Sequence, residues 1–310
     1  MPNEGLILRS SRKSVSSFYK YVKIENPEGL QKEIFQLCQS LNLKGRILLG
    51  KEGINGSVYG TKDKIGLFKD NLKNNNLFSD IGFKENETEI TAFRKLFVRI
   101  RKEVVHFGNK VDLRNTAKFI TPKQLKEMLD NDEDIVLVDM RNDYEAKIGR
   151  FRNAVTLNMG NFRDLPKVIG EIENLKDRKI VTYCTGGIRC EKASAYLKEN
   201  GFKNVMQLKG GILNFGEEFP DTYWEGKCFV FDDRLAVDLN KNNRKSLNNC
   251  AWCGKPCDDY INCHNIGCDK LFICCEECKE PSKKSCCEEC AKAPKRRKEN
   301  LMREIPPSIN

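Results

Sequence analysis

The chain of 310 residues is 39% hydrophobic and 32% charged, with a formal net charge of +10. That length exceeds one small core and allows two or three domains. No apolar run reaches the length of a membrane span, and MPNEGLILRSSRK at the N-terminus lacks a signal-peptide core. A cytoplasmic, reducing location with no membrane partner is therefore expected. The positive charge favours an anionic partner, of which nucleic acid is the commonest; a Lys-rich solvated surface explains the same number.

Residues 1–115 form the first pattern. A strand is expected over Val15–Ile24, a helix over Pro27–Leu41, strands over Gly45–Leu49 and Gly53–Tyr59, a helix over Lys62–Asn71, and strands near Ile81–Phe83 and Phe93–Arg101. The order βαββαβ predicts an α+β ferredoxin-like antiparallel sheet with two helices on one face. Near its end, Arg94, Lys95, Arg99, Arg101, Lys102, His106 and Lys110 interleave with Phe93, Phe97 and Phe107. Strand alternation turns some phenylalanines inward and the cations outward. The outward cations make a phosphate-binding stripe, with Arg94, Arg99, Arg101 and Lys102 the candidate RNA contacts. A solvated charged face is the competing reading.

Residues 120–225 alternate differently. Thr121 caps a helix that has Pro122 at its first position. There follow strands at Ile135–Asp139 and Val155–Asn158, a helix at Leu165–Leu175, a strand at Ile180–Cys184, a helix from Arg189 to Asn200 stopped by Gly201, and a strand at Val205–Leu208 before Gly210-Gly211. Short apolar strands alternating with helices predict an α/β domain with a parallel sheet covered on both faces. Active loops of such sheets lie at the strands' carboxyl ends, where Asp139 and Cys184 fall.

The stretch YCTGGIR, 183–189, is the most informative in the chain. Gly186 and Gly187 let backbone N–H groups converge, and the helix start adds positive potential. A sulfur held there has a lowered pKa, and Arg189 adds a fixed cation at the rim. A phosphatase cradle places five residues between Cys and Arg; here there are four, a tighter loop that suits a persulfide. A buried cysteine before a tight turn is the bland alternative. Cys190 is expected to point away from the cradle as an ordinary helical cysteine, with a resolving thiol the second reading. Cys38 reads as core, and Cys228 is ambiguous.

Eleven of the fifteen cysteines lie between Cys250 and Cys290. Three C-x-x-C pairs there signal zinc rather than disulfides. Cys250 and Cys253 with Cys275 and Cys278 make one tetrahedral structural site. Cys257, Cys263, Cys268 and Cys287 or Cys290 supply a second. A thiol-rich redox module is the alternative, and His264 is expected to be solvated or a substitute ligand. Residues 240–292 form this Cys-rich segment, and 293–310, with the Lys295–Lys298 run, a basic disordered tail.

The middle region, 120–225, resembles the rhodanese domain through VDMRNDYE at 138–145, IGRFRNA at 148–154, YCTGGIR at 183–189 and LKGGILNF at 208–215. The resemblance makes Cys184 the persulfide carrier and Arg189 the loop arginine. It gives Asp139 and Arg141 a buttressing role, with a plain structural salt bridge as the alternative. Where that family often has Gly-His, this chain has Gly149-Arg150, which adds a cation near the site. Nearly the whole chain resembles the rhodanese-based tRNA wobble-uridine hydroxylases, on SFYKYVKIENP at 17–27, KEGINGSVYG at 51–60, DMRNDYE at 139–145, YCTGGIRCEKASAYL at 183–197 and CGKPCDDYINC at 253–263. This implies an acylphosphatase-like first domain and oxygen-dependent conversion of uridine to 5-hydroxyuridine in a tRNA anticodon loop, with dioxygen as co-substrate. No flavin, haem or nicotinamide signature is visible. A sulfurtransferase and a non-enzymatic RNA-binding module are the rival functions.

Overall fold

The computed structural model describes residues 12–297, which divide into two compact units, 12–110 with 232–234, and 111–231 with 235–297. In the first, β1 (Lys13–Tyr21), α1 (Pro27–Ser40), β2 (Lys44–Gly50), β3 (Gly53–Thr61), α2 (Lys62–Lys73), β4 (Gly82–Glu87) and β5 (Leu96–Ile100) follow the expected order. The strands line up β4-β1-β3-β2-β5, antiparallel except where β5 runs parallel to β2. Alternation decides the faces. Ile47, Leu49, Ile54 and Val58 turn to one side, where they share a core with Ile34 and Cys38 of α1 and Ile65 and Phe68 of α2. Cys38 is core, and burial pushes its thiol up to about 12.

The second unit begins with β6 (Lys118–Ile120), α3 (Pro122–Asp130), β7 (Ile135–Asp139), α4 (Asp143–Ile148), β8 (Gly149–Phe151) and β9 (Val155–Thr156). Thr121 caps α3 as expected, its Oγ1 accepting from the Gln124 N–H while Gln124 reaches back to the Thr121 N–H. Then come α5 (Leu165–Val168), β10 (Lys179–Tyr183), α6 (Ile188–Glu199), β11 (Asn204–Leu208), α7 (Gly211–Glu218), β12 (Trp224–Phe229) and β13 (Ala236–Asp238). The parallel sheet has the order β6-β11-β10-β7-β9. The single helix expected over Leu165–Leu175 is instead one α-helical turn followed by a 3₁₀ stretch, with Ile172 outside helical geometry. Gly170 supplies little helical preference there. The apolar residues Ile172 and Leu175 still reach the interior.

A hairpin of β14 (Tyr260–Asn262) and β15 (Leu271–Ile273) organises the Cys-rich segment. It packs on α4: Tyr260 and Ile273 join a cluster with Tyr144 and Ile148, and the Tyr260 hydroxyl donates to the Tyr144 carbonyl at 3.1 Å. The basic tail does not begin at 293. The Arg296 guanidinium donates to the Cys290 carbonyl and, at 2.9 Å, to Ser285, and Arg297 pairs with Asp269, so both are tied to this module. The rest of the expected tail, like Met1–Ser11, lies outside the described residues.

Candidate active site

Strand β10 ends at Tyr183, and Cys184 opens the loop that leads into α6. Gly187 has φ +101°, a left-handed conformation that turns its N–H back toward the sulfur. That N–H donates to Cys184 Sγ at 3.1 Å. The opposite side of the loop is held from outside. The N–H groups of Ile212 and Leu213, at the start of α7, donate to the carbonyls of Cys184 and Thr185 at 3.0 and 3.1 Å. With its carbonyls drawn outward, the loop leaves N–H groups to face the sulfur. Full burial raises the Cys184 pKa, but the Cys190 thiol, the Arg189 guanidinium and the N–H groups of Arg189 and Gly187 outweigh it and bring it down to about 5. The group is a thiolate at neutral pH.

Arg189 does not stand at a rim. It is buried and forms a bidentate pair with Glu145 of α4, Nη2 lying 2.8 Å from Oε2. Nη2 also donates to Thr185 Oγ1 at 3.3 Å. A guanidinium this far from water requires a carboxylate, and Glu145, itself fully buried, supplies it. Glu145 is the functional residue that sequence reasoning missed. The signal was present in Asn142 and Glu145, a capping box that folds the carboxylate back over the start of α4, with the Asn142 N–H donating to Oε1 at 3.1 Å. Arg189→Lys is expected to lower activity at least about tenfold, because an ammonium cannot fill the two-pronged contact. Kinetics beside a thermal melt check this; wild-type turnover would reduce Arg189 to a packing role.

Asp139 and Arg141 form a second, fully buried pair at the end of β7. The Arg141 N–H and Nε donate to Asp139 Oδ1 at 3.0 and 2.9 Å, and Nη2 donates to the Gly149 carbonyl at 2.6 Å. This pair ties β7 to the first residue of β8. The structure gives it no contact with Cys184. Arg150 sits on β8 with Nη1 3.5 Å from the Ala146 carbonyl.

Cys190 turns out to face Cys184. Both sulfurs are fully buried; burial first, and then donation of its thiol to the Cys184 sulfur, raise the Cys190 pKa well above the usual thiol range. The first turn of α6 starts from the left-handed Gly187, which swings position 190 under the loop rather than away from it. Gly210-Gly211 also acquires a role. Gly211 has φ +65°, and a Cβ there would lie 2.3 Å from the Cys184 carbonyl oxygen and 2.9 Å from the Gly187 nitrogen. A Cβ on Gly186 would meet nothing within 4 Å.

The expected RNA contacts separate. Arg94 pairs with Asp233 at 3.3 Å, within the first unit. Arg99 lies over the Phe97 ring at 4.7 Å on β5, and Arg101 and Lys102 follow that strand.

In the Cys-rich segment, the sulfurs of Cys250, Cys253, Cys275 and Cys278 all lie within 4.8 Å of one another, the group expected from sequence. A second group joins Cys263, Cys268, Cys286 and Cys290. Cys286, rather than Cys287, is the partner of Cys290, and Cys257 takes no part: its sulfur accepts from the Asp259 N–H at 3.4 Å. His264 belongs to neither group. Separations of 3.6 Å for Cys253–Cys275, 3.7 Å for Cys268–Cys286 and 3.8 Å for Cys286–Cys290 fit the ~3.8 Å edge of a tetrahedron with ~2.3 Å metal–sulfur bonds. Each group can hold a metal ion. None of the fifteen cysteines forms a disulfide.

Three families match in series: the UPF0176 acylphosphatase like domain over residues 13–104, the Rhodanese-like domain over 121–218 and the Rhodanase C-terminal over 225–291. Fold and site thus define a rhodanese-type protein with an acylphosphatase-like domain before it and a Cys-rich segment after it. Among curated proteins, the chain is 46% identical to the tRNA uridine(34) hydroxylase of Enterococcus faecalis over 84% of each chain. It is 43% identical to that of Cytophaga hutchinsonii over 85% of each. The chain belongs to the tRNA uridine(34) hydroxylase family.

Proposed function

We propose that this protein is an oxidoreductase that hydroxylates uridine 34 of tRNA, converting it to 5-hydroxyuridine with dioxygen as co-substrate, and that Cys184 is its nucleophile. The observation that carries the reading is a thiolate held at the end of β10 by its own loop, in a chain 46% identical to a tRNA uridine(34) hydroxylase. Cys184 Sγ adds to C6 of the uracil ring, which gives C5 enolate character. C5 then bonds to an electrophilic oxygen equivalent from dioxygen; loss of the C5 proton and departure of the sulfur restore the ring. The second oxygen atom leaves as water after taking up two electrons and two protons from an external dithiol reductant, which is oxidised to a disulfide. The loop N–H groups stabilise the sulfur as it departs. Cys184 has no exposed surface, so an unpaired anticodon base enters by an opening movement around the loop. Fifteen cysteines without a disulfide suit a reducing, cytoplasmic location.

Mass spectrometry of nucleosides from tRNA incubated with the protein, with and without oxygen, tests this. An oxygen-dependent gain of one oxygen atom at uridine 34 is the expected result. Thiosulfate turnover with no such product would put sulfur transfer in its place, and tRNA binding with an unreactive Cys184 would leave a binding module.

The two four-sulfur groups are proposed as structural zinc sites, since four thiolates leave no open position for substrate. Two zinc ions per chain are expected by elemental analysis. Chelation is expected to expose residues 250–290 to protease before the parallel-sheet domain opens. Metal-free protein that stays protease-resistant there would remove the zinc sites.

A further inference from the structure

The helix-free face of the first unit's sheet carries side chains that the core does not use. Register places Lys84 of β4 opposite Ser17 of β1, Ser17 opposite Ser57 of β3, Ser57 opposite Arg46 of β2, and Arg46 opposite Phe97 of β5. The next row on the same face holds Tyr19, Asn55, Leu48 and Arg99. The chain has thus set a cation–hydroxyl–hydroxyl–cation–aromatic row across five strands. Ser17 and Ser57 hydrogen-bond to each other at 2.7 Å. Lys84 lies over the Tyr19 ring at 5.4 Å, and Arg99 over Phe97 at 4.7 Å. Phe97 is 36% exposed, unusual for a phenylalanine in mid-strand.

Arg46 is the odd member. It is half-buried, and among the described residues it has no hydrogen bond or carboxylate partner. Burial first, then the nearby charges of Arg99 and Arg101, make its protonation less favourable than usual. Elsewhere the chain answers a buried guanidinium with a carboxylate, as Asp139 answers Arg141 and Glu145 answers Arg189. Arg46 instead has the Arg99 guanidinium one row along on the neighbouring strand, and the two repel. Such a pair suits an anion brought from outside. The aromatics beside it, Phe97 exposed and Tyr19 half-buried, select among anions. A phosphate flanked by flat, unpaired bases matches both halves of the surface, whereas duplex RNA keeps its bases stacked away from it.

We propose that Arg46, with Arg99 and Arg101, binds a backbone phosphate of single-stranded tRNA, and that Phe97 and Tyr19 stack the adjoining unpaired bases. The proposal rests on RNA being the substrate. It adds Arg46, Tyr19 and Phe97 to the contacts that the sequence suggested, and it leaves Arg94, committed to Asp233, outside them.

The test uses the full chain. Arg46→Gln is expected to weaken binding of unmodified tRNA about five- to tenfold near 0.1 M salt and to flatten the plot of log affinity against log salt by about one unit, the loss of one phosphate contact. Its thermal midpoint is expected to stay level or rise, because repulsion is removed. Phe97→Ala is expected to weaken binding of a single-stranded anticodon-loop oligonucleotide about five- to a hundredfold with the salt slope unchanged. Arg46→Gln with wild-type affinity and slope overturns the proposal, whatever its thermal midpoint. So does a polyglutamate peptide that binds in an Arg46-dependent way while tRNA affinity stays the same, since the face then belongs to an acidic protein. A wild-type protein that hydroxylates no uridine yet binds tRNA through Arg46 would keep this platform and remove the proposed reaction. A variant that keeps both affinity and conversion would remove the platform alone.

Discussion

Cys184→Ser is expected to abolish hydroxylated nucleoside in tRNA, a loss on the order of 10³-fold or more, with an unchanged thermal midpoint. The serine hydroxyl fits the same space but does not ionise near neutral pH, and the donors around it have been arranged for an anion. The causes of the low pKa are separable. In the wild type, alkylation of Cys184 by iodoacetamide is expected to reach half its plateau rate near pH 5, where the thiolate forms. Cys190→Ala removes a donor and is expected to move that midpoint up by about one to two pH units, the worth of a hydrogen bond to a charged group. Cys190→Ser keeps a donor and is expected to hold the midpoint near the wild-type value. The sign follows from which form is bonded: the neighbours stabilise the anion, so losing one makes the proton harder to remove. A wild-type midpoint at or above pH 8 would mean that the loop does not activate the sulfur. Full activity in Cys184→Ser would move the chemistry elsewhere.

Gly211→Ala is expected to be the most damaging of the glycine substitutions near the loop. Its Cβ would enter the Cys184 carbonyl, 2.3 Å away, and the Thr185 carbonyl, 2.8 Å away, while φ +65° already disfavours any side chain. Backbone atoms cannot step aside as a flexible side chain can. The α7 start would separate from the loop and release the two hydrogen bonds that turn the loop carbonyls outward. A destabilisation of about 2 kcal/mol or more, with loss of activity, is expected by chemical denaturation and turnover. Gly186→Ala is the contrast. It has open space for a methyl group and is expected to fold with wild-type stability; any loss of activity there reports on the room a substrate needs above the sulfur. Equal stability of the two variants would show that α7 does not brace the loop.

Much of this was legible in the sequence because it is locally written. Thr121-Pro122 opens α3, and Cys184-Thr-Gly-Gly opens α6, since caps and turns need particular residues at adjacent positions. The Cys250, Cys253, Cys275 and Cys278 group followed from spacing alone. What escaped was set by tertiary packing. Glu145 is 44 positions from Arg189 along the chain, and an acidic residue at a helix start reads as a surface cap until the arginine is seen to be buried. Cys190 was read from the ordinary direction of a helical side chain, but the left-handed residue before α6 reset that direction. The second four-sulfur group turned on one step of register between Cys286 and Cys287, which the α-helical turn Glu288–Ala291 decides. Arg46 lay outside the basic run near residue 100, and only the pairing of β2 with β5 brings them together.

The Arg189–Glu145 pair also sets what the loop refuses. A cradle that accepts an inorganic oxyanion must offer a cation free to meet it. Here the guanidinium's fork is already closed by an internal carboxylate, so an entering dianion meets the Glu145 charge behind the arginine instead of an open donor pair. The negative charge suited to this loop is the one that its own cysteine generates in place. Orthovanadate and phosphate, which crowd into cysteine phosphatases as competitive inhibitors, should find no foothold here, and the loop can work among millimolar cellular phosphate without being occupied by it.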